Sequence, residues 1–584
     1  MDFAAPYVIL DDARPGGAPA RLYRDPVRVI EALTIEQVAP ALLEVRDGTA
    51  GGLHAAGFLT YEAGQAFEAK APPAPTGEPL LWFGLFDSPE RFDPATLPDP
   101  AGAWAGAPRP LVERDRYLAQ VAQIQSLIAA GDLYQANLTF PALAAFQGDP
   151  LALYARLRAA SLAGWGAVVA TGRAMYLSMS PELFFALDGD TLTARPMKGT
   201  APRLADSRAD DLAAQALSAD PKQRAENLMI VDLMRNDLSR VAVPGSVAVP
   251  DLFRVERYPT VQQMVSTVSA TLAPGRDAID VLAASFPCGS ITGAPKLRAM
   301  QAIAAVEGAP RGLYTGAIGH VAPGGDAQFS VAIRTMTLRD GEATLGLGSG
   351  IVADSIAADE WEECMAKGAF VTAGGRPLDL IETMRFDPRE GLLLLERHLE
   401  RMKDSADRFG FAFDRHGARN ELQAATFRLR TPARVRLLLG PRGSIAIEAG
   451  PLPPMPDRPV EVAIVSHQVA PDDFRLRHKT TDRRFYDDAR RSAGTFEVAF
   501  IDAAGFATEG SFTNLFVERD GVLVTPPLSR GLLPGVLRAE LIASGRAVEG
   551  ELTADDLKQG LSIGNALRGL TPAVAVAKGF ASAV

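Results

Sequence analysis

Several side chains in this sequence have types and spacings that could do chemistry. Lys198 stands in ARPMKGTAPR, with Pro196 and Pro202 on either side and Gly199 next to it, so the backbone carrying its amine is restricted on one side and freed on the other. A lysine held in this way can be a nucleophile, an anion contact or an ordinary solvated loop lysine. Glu182 lies upstream in MSPELFF. A strand, a turn and a second strand between the two would bring a carboxylic acid and an amine to one cleft, the pairing that proton transfer and nucleophilic attack require. DEWEECMAKG sets Glu360 and Glu363 on one face of a helix, with Lys367 on the next turn. AENLMIVDLMRNDLSRV places Glu226 just ahead of an apolar stripe through Leu228, Met229 and Leu233. Taken singly, these acids read as a solvated face and a helix N-terminal charge. Taken together, they could supply the oxygen ligands that Mg2+ prefers. FPCGSITGAPKLRAM is a glycine-containing loop leading into a helix, and its backbone N–H groups could meet an anion.

The C-terminal third holds a second lysine in a basic setting, RLRHKTTDRRFYDDAR, whose plainest reading is a solvated surface segment. Around it lie ATEGSFTNLFV, VTPPLSRGLLPGVLR and LSIGNALRGLTPAV, which alternate apolar runs with glycine and proline turns.

The elements that would position these residues follow from composition and periodicity. At about 150 residues per domain, 584 residues make two large domains or several small ones. A composition of 47% hydrophobic and 22% charged residues is that of an ordinary globular protein. A net charge of -11 argues against a nucleic-acid surface, although local positive groups can still hold a small anion. Cys288 and Cys364 are the only cysteines and lack CxxC spacing, so neither a disulfide framework nor a structural zinc site is expected. MDFAAPYVILDDARPGG has no basic start and apolar core, and no apolar run approaches the ~20 residues of a membrane span. The expectation is a cytoplasmic protein without nucleic-acid or membrane partners. Residues 73 to 110, rich in Pro, Gly and Ala, read as a surface excursion. RDRYLAQVAQIQSLIAAGDLYQANLTF reads as a helix stopped at Gly131 before a strand. GAVVATG, AMYLSM and ELFFAL read as strands, and a composition break at AGGRPLDL precedes a fresh pattern of strand, helix and strands. Two domains are expected, 1–370 and 375–584.

In the first, GDLYQANLT, SPELF, PMKGTAPR, AENLMIVDLMRNDL, YPTVQQMVSTV, FPCGSITGAPKLRAMQAI, RGLYTGAIGHV, VAIRTM and GLGSGIVADSIAADEWEECMAK resemble, in order, the motifs of the chorismate-using enzymes over roughly 240 residues. That family includes anthranilate synthase component I, isochorismate and salicylate synthases, and aminodeoxychorismate synthase component I. The resemblance implies an α+β fold whose first part is a large chorismate-binding mixed α/β sandwich. Members making anthranilate, isochorismate or salicylate usually carry Ala where Lys198 stands, and those aminating chorismate at C4 carry Lys. The implied mechanism has the Lys198 amine attack C2 as the C4 hydroxyl leaves, after which ammonia adds at C4 and expels the lysine. Glu182 matches the general acid for the hydroxyl, and Glu226, Glu360 and Glu363 match the carboxylates that bind Mg2+. Tyr314, Arg334, Gly348 and Lys367 match positions holding substrate carboxylates. Cys288 stands where many relatives have Gly, and Gln262 and Gln263 fill a stretch where relatives often carry His. Neither cysteine lies in a glutaminase-like nucleophile elbow, so ammonia is expected from a separate glutamine amidotransferase subunit.

The second domain resembles fold type IV pyridoxal-phosphate enzymes: branched-chain and D-amino-acid aminotransferases and aminodeoxychorismate lyase. By that resemblance Lys479 forms the Schiff base and Glu509 faces the pyridine nitrogen. Arg401, the backbone N–H groups of Val536 and Leu537, and Asn565 meet the phosphate. A homodimer through this domain is also implied. The product of the first domain would be the lyase substrate, which favours a folate-precursor enzyme making 4-aminobenzoate and pyruvate. An amino-acid aminotransferase or a non-catalytic docking module in second place, and anthranilate synthesis in first, are the alternatives.

Overall fold

Alternating burial along QANLTFPALAAFQG makes Gln135–Gly148 a long strand, and the stripe Tyr117, Gln120, Val121, Ile124 makes Arg114–Ala129 an amphipathic helix on it. The helix ends at Ala129, and Gly131 follows with φ 81°, a left-handed stop that a glycine adopts without strain. The computed structural model describes residues 3–68, 78–258, 261–456 and 459–576. Contacts divide the chain into two units, one of residues 1–100, 105–146 and 150–375, the other of 101–104, 147–149 and 376–584.

The first unit contains an 11-stranded and a 10-stranded sheet. In the larger, Gln135–Gly148 pairs with Glu342–Ile351, which pairs with Thr335–Arg339 and so with Met175–Ser180. In the other, the run Met197–Pro202, Val261–Thr271, Thr191–Arg195, Leu183–Asp188 and Ala327–Val331 carries the ARPMKGTAPR segment at its edge. Val8, Tyr23, Val169 and Tyr176 of the larger sheet share one buried cluster with Phe58, Trp82, Phe86 and Ile318 of the other, which makes the pair a sandwich. Helices Ile35–Ala50, Pro221–Ser239 and Ala278–Ser285 bury Val38, Ile230, Met234 and Leu282 against the outer face of the 10-stranded sheet.

One expectation fails here. Within the stretch read as a surface excursion, Leu81–Phe86 (LWFGLF) is a strand with all six residues buried, paired on both sides by His54–Leu59 and Arg28–Ala32. A strand buried on both faces shows no two-residue alternation, and its Pro- and Gly-rich flanks hid it. Residues 73–77 of the stretch lie outside the described residues.

In the second unit a four-stranded sheet, ordered Gly391–Leu392, Leu380–Asp387, Ala433–Leu439, Ile445–Pro451, is covered on one face by helices Leu395–Phe409 and Arg415–Thr426. Leu399, Met402, Ala406 and Leu422 pack there on Leu380, Met384, Val435 and Leu437. An eight-stranded sheet follows, with Val460–Ser466 lying parallel to both Glu497–Ile501 and Gly569–Val576. Among the described residues no helix is long and apolar enough to cross a membrane.

Candidate active sites

The hairpin of Leu183–Asp188 and Thr191–Arg195 begins at Glu182, and the next strand, Met197–Pro202, carries Lys198. The register of that strand against Val261–Thr271 shifts between Met197 and Thr200, so Lys198 sits on a bulge. A bulge re-aims a side chain, and this one needs Gly199, whose φ is +101°. The bulge is pinned from two sides. Asn227 Nδ2 on helix Pro221–Ser239 donates to the Lys198 carbonyl at 3.1 Å, and Gln263 Nε2 donates to the Gly199 carbonyl at 2.8 Å. Gln263 therefore holds the lysine loop, while the neighbouring buried Gln262 donates to Asp210.

The Lys198 amine lies 3.6 Å from Glu226 Oε2. It also lies over Gly350, where a Cβ would fall 2.5 Å from Nζ. Gly346, two pairs further along the same strand face, lies under the Tyr314 ring, and a Cβ there would come 1.9 Å from Tyr314 Cδ1. Between them, the Gly348 carbonyl accepts from Lys367 Nζ at 2.9 Å. The glycines of GLGSG thus keep a sheet surface bare where Lys198 and Tyr314 approach. Glu182 is 4% exposed; burial pushes its carboxyl up to about 7, against the opposing pull of Ser290, the Met197 N–H and Lys198. Ser290, from the FPCGSITG loop, donates to Glu182 Oε1 at 2.6 Å. Arg334 has the positive φ of 50°, and burial lowers its pKa; among the described residues no carboxylate pairs with it.

The three expected metal carboxylates do not form one cluster. Glu226 faces Lys198, Glu360 accepts from Ser355 Oγ at 2.6 Å, and Glu363 pairs with Lys367 at 2.7 Å. Among the described residues no three His, Cys, Asp or Glu side chains stand close enough together to hold a cation. Like charges repel at short range, and each acid has a nearer donor of its own. Tyr314 and Gly346 also border a cavity of about 450 Å3 that runs past Thr139, Glu62 and Arg311.

In the second unit Lys479 lies in a cavity of about 580 Å3. Its carbonyl accepts from Ile381 N at 2.9 Å, which ties the lysine segment to the strand Leu380–Asp387. Burial, then the Arg401 charge, lower its pKa to about 7. Glu509 is buried too, which pushes its carboxyl up to about 7 although Tyr486 Oη and Leu533 N donate to it. Arg401 is less free than expected. Its Nε and Nη2 bond Glu382 at 2.8 and 2.7 Å, and Nη1 donates to the Pro534 carbonyl. His398 Nδ1 meets the same carboxylate at 2.6 Å, while its Nε2, lining the cavity, is buried without a partner. Asn565 is likewise committed to the chain: Oδ1 accepts from Leu567 N and Arg568 N, and Nδ2 donates to the Phe512 carbonyl. Helix Val536–Ala543 begins at Val536 after Gly535, so the Val536 and Leu537 N–H groups lie in its first turn, and Val536 lines the cavity.

The cavity wall also carries residues that the motifs had not singled out. Arg434, Arg436, Arg483, Arg490 and Arg568 line it with Arg401 and Lys479, against two acids, Asp487 and Glu509. Among the described residues no carboxylate reaches ion-pair distance of Arg434, Arg483 or Arg568. Arg434 and Arg436 are two apart on one strand and so share a face, a spacing visible in ARVRLLLG. Arg490 and Arg568 lie 5.3 and 5.6 Å from the Phe512 ring centroid.

A β-sandwich with a lysine at one sheet edge, followed by a unit with a half-buried lysine in a basic cavity, agrees with the two families that the chain matches. A family model described as chorismate binding enzyme matches residues 20–373, more than half of the chain, and one described as amino-transferase class IV matches 379–576. The chain belongs to the chorismate binding enzymes. It is 46% identical over 256 residues to aminodeoxychorismate synthase component 1 of Klebsiella aerogenes, covering 44% of this chain and 57% of that protein. It is 42% identical over 260 residues to anthranilate synthase component 1 of Streptomyces coelicolor, covering 44% and 51%. The chain thus spans little more than half the length of the curated relatives it matches. The solved anthranilate synthase component I of Streptococcus pneumoniae TIGR4 shares the fold, with a TM-score of 0.53 and 24% identity over 64% of this chain and 93% of that one.

Proposed function

We propose that the chain makes 4-aminobenzoate in two steps on two domains, 1–370 and 375–584. The first aminates chorismate at C4, and the second removes pyruvate from the product. The observation carrying the first step is Lys198 itself, set on a pinned bulge over a bare glycine surface beside Glu226. The neutral Lys198 amine adds at C2 while Glu182 gives its proton to the C4 hydroxyl, which departs as water. Glu182 then takes the proton shed by the new secondary ammonium. Ammonia adds at C4, the C2–N bond breaks, and the proton lost from the new C4 nitrogen equals the one returned to the lysine. The sum is chorismate plus ammonia giving 4-amino-4-deoxychorismate plus water. The half-buried Arg334, with no carboxylate partner among the described residues, suits a substrate carboxylate, as do Tyr314, the Gly348 backbone and Lys367.

Mg2+ suits the donor type of Glu226, Glu360 and Glu363, but each acid is engaged by a separate partner and the three stand apart, so no step of the proposed amination is routed through a metal. Ammonia is assigned to a separate glutamine amidotransferase subunit.

Pyridoxal phosphate fits the second cavity. The unpartnered His398 Nε2, the unpaired arginines and the helix start at Val536 suit a dianionic phosphate, and Glu509 suits a pyridinium nitrogen. When bound, the cofactor supplies an electron sink for the carbon that loses a proton. Lys479, half-buried and poised near neutrality, holds the cofactor and moves the C4 proton. Lyase over aminotransferase is favoured by the seven basic groups lining the cavity, which match a substrate with two carboxylates better than a simple apolar amino acid. The test supplies 4-amino-4-deoxychorismate to the chain loaded with pyridoxal phosphate and measures pyruvate and 4-aminobenzoate. Their stoichiometric release is expected, whereas amino exchange between amino and keto acids without pyruvate release would establish the aminotransferase reading.

A further inference from the structure

The FPCGSITG loop reaches the start of strand Leu183–Asp188 and delivers two side chains to Glu182 in series. Ser290 Oγ donates to Glu182 Oε1 at 2.6 Å, and Cys288 Sγ lies 3.3 Å from Ser290 Oγ. The loop is held firmly. Thr292 Oγ1 donates to the Cys288 carbonyl at 2.9 Å, and Gly289 is pressed against Leu233, where a Cβ would fall 2.3 Å from Cδ2. We propose that Ser290, with its hydroxyl turned by the Cys288 thiol, is a positioning residue that fixes which oxygen of Glu182 carries the transferable proton. This inference rests on the reading of Glu182 as the general acid for the C4 hydroxyl.

A protonated carboxyl has two oxygens, and only one faces the bond being broken in a given pose. A serine O–H donated to Oε1 disfavours a proton on that oxygen, because a carboxyl O–H oxygen accepts more weakly than the carbonyl oxygen, and so favours Oε2 as the carrier. A serine hydroxyl turns freely unless something sets it. Burial pushes the Cys288 thiol up to about 12, so sulfur remains S–H and acts as a donor. The serine oxygen accepts from it, and the serine hydrogen is directed to Glu182. After Glu182 has given its proton to the departing hydroxyl, the same Ser290 O–H stabilises the carboxylate that remains. Besides Cys288, the charged group facing Glu182 is Lys198, and the Met197 N–H also donates to it.

The test compares the full chain with Ser290→Ala, Ser290→Thr and Cys288→Ala, following C4 amination against pH at a fixed concentration of free ammonia. Ser290→Ala removes a bond that favours the ionised carboxyl, so the alkaline limb should move up by about one pH unit. Its kcat should fall about tenfold with KM for chorismate unchanged. Ser290→Thr should restore both, and Cys288→Ala should move the limb in the same direction by less. An unmoved limb with undiminished kcat in Ser290→Ala, or a threonine variant as impaired as the alanine one, would overturn the proposal. Glu182→Gln separates the two readings. If it retains amination, Glu182 is not the acid and the parent reading fails; if it abolishes amination while Ser290→Ala behaves as wild type, only the positioning role fails.

Discussion

In the proposed reactions Lys198 and Lys479 are both amines that attack carbon, yet their surroundings differ. Lys198 rests against Glu226, so removing its amine leaves a part-exposed carboxylate that water can serve. Lys198→Ala should therefore abolish C4 amination while the thermal midpoint of the chain moves by no more than about 1 kcal/mol equivalent. Retained amination would refute covalent attack. Lys479 is half-buried in its cavity, and desolvation with the Arg401 charge depresses its folded pKa, so the neutral form predominates above about 7 instead of about 10. The rate at which cofactor-free protein takes up pyridoxal phosphate, followed by visible absorbance, should rise as pH passes about 7; a rise only near pH 10 would show a solvated amine. Glu382 behaves in the opposite sense. Burial works against its charge, but Arg401 and His398 outweigh it and hold the carboxyl far below its ordinary 4.5. A depressed carboxylate stabilises the fold above its unfolded pKa and loses that contribution as pH falls from about 4.5 towards the folded value. Glu382→Gln should cost about 3–5 kcal/mol, because the part-buried Arg401 would lose its counter-charge and the buried, neutral His398 its carboxylate acceptor. Urea unfolding at pH 7 measures this, and a change below 1 kcal/mol would contradict it. Lys198 stood out in the sequence through its proline and glycine neighbours, whereas Lys479, in a segment that reads as solvated surface, was singled out only by the resemblance of the motifs around it. Ser290 and Glu382 did not stand out, since a serine in a glycine loop and a glutamate in a strand acquire meaning only from partners 108 and 16 to 19 residues away.

At the scale of elements, the strand Glu342–Ile351 makes two separate demands on its glycines. A Cβ at Gly346 meets the Tyr314 ring, a rigid neighbour, and Gly346→Ala should lose about 1–3 kcal/mol. A Cβ at Gly350 meets only the end of the Lys198 side chain, which can move aside. Gly350→Ala should leave stability nearly unchanged yet lower kcat at least about tenfold by displacing the amine. Thermal melts paired with amination rates distinguish the two, and equal losses of stability would contradict the difference in rigidity. Helix Arg114–Ala129 and the hairpin joining Glu182 to Thr191–Arg195 were legible because amphipathic period and turn glycines are local signals. Leu81–Phe86 was not, since burial on both faces erases the period. The bulge at Lys198 was half legible: Gly199 marks an unusual backbone, but the register shift depends on a partner strand some 65 residues on.

For the whole molecule, the order of the two units matches the order of the two proposed reactions, and the proposal places the nitrogen source outside the chain. With glutamine alone the purified chain should aminate nothing, and with ammonium it should; turnover on glutamine alone would show an unrecognised glutaminase. The central claim is that Lys198 directs nitrogen to C4 and that the second unit completes the aromatic ring. The most direct measurement gives the chain, loaded with pyridoxal phosphate, chorismate, Mg2+ and ammonium and identifies the aromatic product by mass and chromatographic standard. The account predicts 4-aminobenzoate with one pyruvate per molecule, and anthranilate as the main product would contradict it.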